Sequence, residues 1–167
     1  MKKQKTLYNM MFPIWSLWII PVTWIVVLPA NFLVDLLVVV LTMTYLKIPD
    51  IKQNVKAVIL RVWLMDFVAD FIGSVYMFLV TELDFGRNDQ WWEEIRESVF
   101  HNPLQSIGGF IWTTISVLFA AVFLYFINTL WCLEKAGLND SQRKKLALSI
   151  AIFTAPYICY LPTDWFY

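Results

Sequence analysis

The sequence predicts an all-α integral membrane bundle. Three observations predict it: apolar blocks too long and too free of charge for an aqueous core, helix start and stop signals at their edges, and basic residues gathered in alternate loops. Of 167 residues, 59% are hydrophobic, 17% aromatic and 16% charged, where soluble domains carry roughly 45–50% apolar and about 25% charged residues. The mean hydropathy is +0.61. Such a composition describes one domain solvated by lipid. A net charge of zero, two cysteines and one histidine give no footing for nucleic-acid binding, a redox centre or a cofactor. Cys132 and Cys159 fall in apolar segments expected near opposite membrane faces, so they are expected to stay unpaired.

The first apolar block runs from Thr6 to Leu46, interrupted only by Asp35. That is about twice the ~20 residues one span needs. The three lysines before it resemble a signal-peptide start, but the block is too long and Leu28-Pro29-Ala30 offers no cleavage pattern, so the segment is expected to be retained. Pro29 is the natural break. It divides the block into a hairpin with arms at about 8–28 and 30–46, either two short spans, which is the expectation, or a re-entrant pair. A helix should follow Asp50, which caps it with Gln53 in a capping box, and span about 57–81. The next opens at Asn102-Pro103, with Gln105 in the capping-box position, and spans about 104–133. The last opens around Asn139 to Ser141 and spans about 146–162, kinked at Pro156.

Lysine and arginine number three before the hairpin, four from Lys47 to Arg61, two from Thr81 to Pro103 and four from Lys135 to Lys145. Eleven of the thirteen share one side only if the hairpin returns to its starting face, as the positive-inside bias requires. The expected location is therefore the cell inner (plasma) membrane, multi-pass, with the N-terminus cytoplasmic and the C-terminus outside. The outer loop carries six acids and, at about 89–101, an apolar face of Trp91, Trp92, Ile95, Val99 and Phe100. It is expected to lie flat as an interfacial amphipathic helix, with Trp165-Phe166-Tyr167 as a second anchor. There is no internal repeat of the inverted-transporter kind.

Asp66 and Asp70 lie one helical turn apart on one face, at depths of about 12 and 18 Å from a boundary near Val58. Carboxylates so deep and so close cannot both stay ionised without a cation between them, and intramembrane acids point first to function. Val62, Gly73, Ser74 and Met77 share that face, while Arg61 lies about 140° around the helix and is expected to snorkel toward the cytoplasm. Asn31, Asp35 and Thr42 form a second polar seam, and Gln105, Gly109, Thr113, Ser116 and Ala120 a third stripe of small and polar residues. The proposed ion site is Asp66, Asp70, Asp35 and Asn31, with Thr42, Ser74, Gln105, Thr113 and Ser116 lining a cavity. A purely structural role, in which the acids fix helix register, is the competing reading. Glu93, Glu97 and His101 read as a solvated face and not as a metal site. Trp15, Trp18, Trp24 and Trp63 read as packing residues ahead of a cage for an organic cation.

The expected function is a small proton- or cation-coupled transporter or channel component that forms homo-oligomers, because so short a chain encloses little cavity alone. The alternative is a non-transporting scaffold or assembly subunit of a larger secretion, conjugation or envelope complex. An enzyme is not expected, since no serine or cysteine nucleophile is paired with a histidine.

Overall fold

A computed structural model describes residues 13–83 and 90–165. Among these residues every regular element is helical and there is no strand. Five α-helices carry the fold: α1 (Trp24–Tyr45), α2 (Ile51–Glu82), α3 (Gln90–His101), α4 (Ile107–Leu130) and α5 (Asp140–Phe153).

The predicted break at Pro29 does not occur; α1 runs straight through it. Pro29 lies early in the helix, so the carbonyl it leaves unbonded is that of Ile25 in the first turn, close to a helix end. The Trp63 indole of α2 donates to the Leu28 carbonyl at 2.8 Å and pins the same stretch. The break falls earlier, at Pro21, where a 3-10 turn (Pro21–Thr23) leads into α1. Thr23 Oγ1 tightens that corner by donating to the carbonyls of Leu17 and Ile20. Ahead of it, Ile14–Trp18 is a single 3-10 stretch. Trp15 is buried there and donates to the Val99 carbonyl at 3.1 Å. Within the described residues the hairpin's first arm is therefore no span, and it does not return to the end where Lys47 lies. The lysines before Thr6, and residues 166–167 of the second anchor, lie outside the described residues.

Local chemistry also moves two helix starts. Asp50 takes a left-handed conformation (φ 50°) instead of the extended one a capping residue adopts, and its side chain makes no cap, so the expected capping box with Gln53 is absent. Instead of Asn102, Ser106 caps α4, accepting from the Gly109 amide at 2.9 Å. Asn102 Oδ1 closes a short turn with the Leu104 amide at 3.0 Å. A side chain at Gly109 would overlap Ser98, so this glycine sets the close approach of α3 and α4. α5 begins with a full capping box between Asn139 and Gln142. It ends at Phe153 instead of continuing to Leu161, because Pro156 cannot donate and bars its predecessor from helical geometry; a 3-10 turn (Tyr157–Tyr160) follows.

Two apolar clusters close the ends of the bundle. One joins Val39 and Met43 of α1 to Val58 and Val62 of α2, Cys132 and Leu133 beyond α4, and Leu146 and Ile150 of α5. The other joins Trp15, Met77, Val80, Val117 and Cys159 to Trp92, Ile95 and Val99 of α3. The expected interfacial face of α3 is therefore mostly buried against protein, and Trp91, 63% exposed, is its outward tryptophan. Both cysteines are buried and unpaired, one in each cluster. Between the clusters, Ala69, Ala120 and Ala151 let α2, α4 and α5 approach closely. A Cβ on Gly73 would meet Ser116, Ala120 and Pro156.

Two helical stretches are long and apolar enough to cross a membrane: Pro21–Tyr45 (25 residues) and Ile107–Lys135 (29 residues). Only 11% and 28% of their apolar windows are buried. A soluble protein's core helix would be mostly buried, whereas these turn Ile25, Leu33, Leu37, Leu118, Phe119 and Phe126 outward.

Candidate functional site

α1, α2 and the end of α5 meet between the two clusters, and there the structure brings together all four residues of the predicted ion site. The α2 register places Asp66 and Asp70 one turn apart, each 2% exposed. Asn31 of α1 faces both: its Nδ2 donates to Asp70 Oδ2 at 2.9 Å and to Asp66 Oδ2 at 3.3 Å. One turn further along α1, Asp35 is fully buried and within electrostatic reach of Asp66 and Asp70. A partner not anticipated from the sequence is Thr154, which donates from Oγ1 to Asp66 Oδ1 at 2.6 Å. Its signal was present: a threonine two residues before Pro156, at the end of a helical apolar run.

The three acids are held differently. Asp66 is satisfied on both oxygens by Thr154 and Asn31. Asp70 has one bonded oxygen, and its Oδ1 is buried with no hydrogen-bond partner. Asp35 has none on either oxygen. The ion pairs among the described residues involve none of these acids. Arg61, as its helical position predicts, lies away from them, stacked over Trp131 at 5.0 Å near the far end of α4.

A cavity of about 390 Å³ reaches this cluster from the side. Asn31 and Asp70 line it together with Val26, Ala30 and Val34 of α1, Leu17 and Trp18, and the stretch from Phe153 to Ile158. The wall formed by 153–158 is the broken end of α5. A helix C-terminus carries partial negative charge, so the backbone there adds to the field of the carboxylates.

The five cavity-lining residues expected from sequence all lie elsewhere. Thr42, Ser74, Gln105, Thr113 and Ser116 do not line this cavity. Gln105 is exposed in the turn before α4, because the helix begins at Ile107 and not at Pro103. Ser116 donates to the Gly73 carbonyl at 2.8 Å and joins α4 to α2. Ser74 and Thr113 are fully buried on that packed side of α2 and α4, and Thr42 lies near the other end of α1, its carbonyl bonded by the Leu46 amide. The tryptophans form no shared cage: Trp18 and Trp24 pack edge-on against Phe67, Trp63 against Phe32 and Trp15 against Phe100. On α3, Glu93 pairs with Arg96 at 3.0 Å, and His101 lies 3.9 Å from Asp164.

Asp35 carries a stability prediction. A buried polar group with no partner costs about 1–3 kcal/mol, and Val39 and Leu36 beside it belong to an apolar cluster. Asp35→Leu is expected to raise the thermal midpoint in detergent by several degrees. An unchanged or lowered midpoint would show that Asp35 is stabilised where it stands.

No family model matches this chain, and no curated protein and no solved structure matches it either.

Proposed function

We propose that this protein is a multi-pass membrane protein of the inner (plasma) membrane that binds and passes a cation or proton through the site formed by Asn31, Asp66 and Asp70, with Asp35 beneath it. The observation that carries the reading is Asp70: it lines a cavity, is buried to 98%, and leaves Oδ1 without a partner. An acid that only fixed helix register would be expected to be satisfied on both oxygens, as Asp66 is. That difference favours ion binding over a purely scaffolding subunit.

In this reading α1, α2 and α4 cross the bilayer. α5, at 14 residues, is only about 21 Å long and crosses as a broken helix together with the 3-10 turn after it. Discontinuous helices at mid-depth are a recurrent way to present backbone charge to an ion. Lys47, Lys52, Lys56, Lys135, Arg143, Lys144 and Lys145 flank the first apolar cluster, and the positive-inside bias supports a cytoplasmic position for that end. Pro13, α3 and Trp165 then lie outside, so this reading keeps the expected outer C-terminal side and departs from the expected return of the first apolar arm to the cytoplasm. A second copy is expected to complete the path.

The test is flux. Proteoliposomes should show pH- or cation-gradient-driven uptake that Asp70→Asn abolishes; no wild-type flux, or flux indifferent to the change, rejects the reading. Topology is checked separately with a membrane-impermeant maleimide. Lys52→Cys and Glu94→Cys, both at exposed positions, are expected to label from opposite sides, and labelling of both from one side would refute the multi-pass arrangement.

A further inference from the structure

The walls of the cavity say more about the ion than its acids do. Besides Asn31, Asp70 and Thr154, the side chains lining it are apolar or aromatic: Val26, Val27, Ala30 and Val34 on one side, Phe153, Pro156 and Ile158 on the other, with Leu17 and Trp18 at one end. A dehydrated divalent ion needs about six or more oxygen ligands, and the polar side chains of the lining, Asn31, Asp70 and Thr154, offer four. A volume of about 390 Å³ is also that of a small organic molecule and not of a bare ion.

The position of the mouth bears on the route of entry. Val26 (72% exposed), Val34 (46%), Phe153 (66%) and Tyr157 (50%) border it and belong to the outward, apolar surface of α1 and of the α5 end. In a bilayer this mouth opens toward lipid tails. No lysine or arginine lines the cavity, so it offers no partner for the phosphate that a phospholipid headgroup would bring.

We propose that this cavity binds an amphipathic organic cation, a hydrophobic ammonium or phosphonium, which enters sideways from the bilayer between α1 and the end of α5 and sets its charge against Asp70. The ligand's apolar body replaces lipid against the valine and phenylalanine walls. Its charge is set against the Asp70 carboxylate, which lines the cavity and has one oxygen without a protein partner, with the C-terminal end of α5 adding to the attraction. The assignment rests on the cation-binding reading above and narrows its substrate class.

The experiment uses the full chain in phosphatidylcholine nanodiscs with tetraphenylphosphonium as the probe, by equilibrium binding. Saturable binding at one site per chain is expected, unaffected by 100-fold higher sodium or potassium than probe. Asp70→Asn should weaken it at least tenfold. Ala30→Trp should do the same by filling the mouth, and because Ala30 is exposed on α1 this change leaves the packed interior intact. Circular dichroism and gel filtration establish that each variant is folded. Absent saturable binding, full competition by an inorganic cation, or binding insensitive to Ala30→Trp overturns the assignment. Asp70-dependent flux of protons or inorganic cations without probe binding would overturn this assignment alone and leave the broader reading standing. Probe binding with no gradient-driven flux of protons, inorganic cations or the probe itself would overturn the transport part of the broader reading and leave this binding site standing.

Discussion

Asp66→Asn and Asp70→Asn are expected to part company. The Asp70 change should cut gradient-driven flux by at least tenfold while moving the thermal midpoint little. The Asp66 change should lower the midpoint markedly. The reason lies in which oxygens are already committed. Asp66 accepts from Thr154 Oγ1 on one oxygen and from Asn31 on the other. An asparagine there can accept from Asn31 and turn its NH2 to Thr154 Oγ1, whose hydroxyl then swings to the Ile150 carbonyl; two charge-assisted bonds become neutral ones, a loss of about 1–3 kcal/mol. Asp70 accepts only from Asn31. Its amide analogue keeps that bond through the carbonyl oxygen and places its NH2 at the position of Oδ1, which has no hydrogen-bond partner to oppose it. What disappears is the negative charge, and with it the differential attraction for a cation. Parallel thermal melts and flux assays decide the matter; equal losses of stability in the two variants, or equal losses of flux without loss of stability, would contradict the division of roles.

Thr154→Val should destabilise the protein by about 2–3 kcal/mol, read as a fall of several degrees in the thermal midpoint in detergent. The two side chains have nearly the same shape, so packing is largely preserved and the loss isolates the hydroxyl. That hydroxyl donates to Asp66 at 2.6 Å and lies within 2.9 Å of the Ile150 carbonyl, and Thr154 is only 8% exposed. Removing it strands a carboxylate oxygen in the interior, which costs more than stranding a neutral group. It also frees the end of α5 that forms the cavity wall. Thr154→Ser, which retains the donor, should recover most of the loss. A valine variant as stable as wild type would show that the hydroxyl does not anchor Asp66.

The acids were legible because the bilayer reading makes every interior charge conspicuous, and i, i+4 spacing fixed Asp66 and Asp70 on one face without any knowledge of a partner. Asn31 and Asp35 were found by the same periodicity on α1. That these four residues meet was not legible, since it depends on how α1 lies across α2. The hairpin failed for a related reason. Pro29 is a local breaker by rule, yet the helix tolerates it early in its length and Trp63 from another helix holds the adjacent carbonyl. Gln105 and Asn102 failed because capping is a competition among neighbouring polar side chains. Ser106 wins it here, its amide held by Ser98 of α3 at 3.2 Å, and sequence spacing does not register that contact.

By itself the sequence determined the helical class, the apolar stretches long enough to span, the basic and acidic loops, and the pair of carboxylates one turn apart. These follow from composition and from the 3.6-residue period, which act along the chain. Only the tertiary structure decided that Asn31 bonds both acids, that Thr154 satisfies one of them, and that the broken end of α5 leaves the other facing a cavity. Those are contacts between residues 35 to 88 positions apart, set by how the helices pack, and no local pattern encodes them.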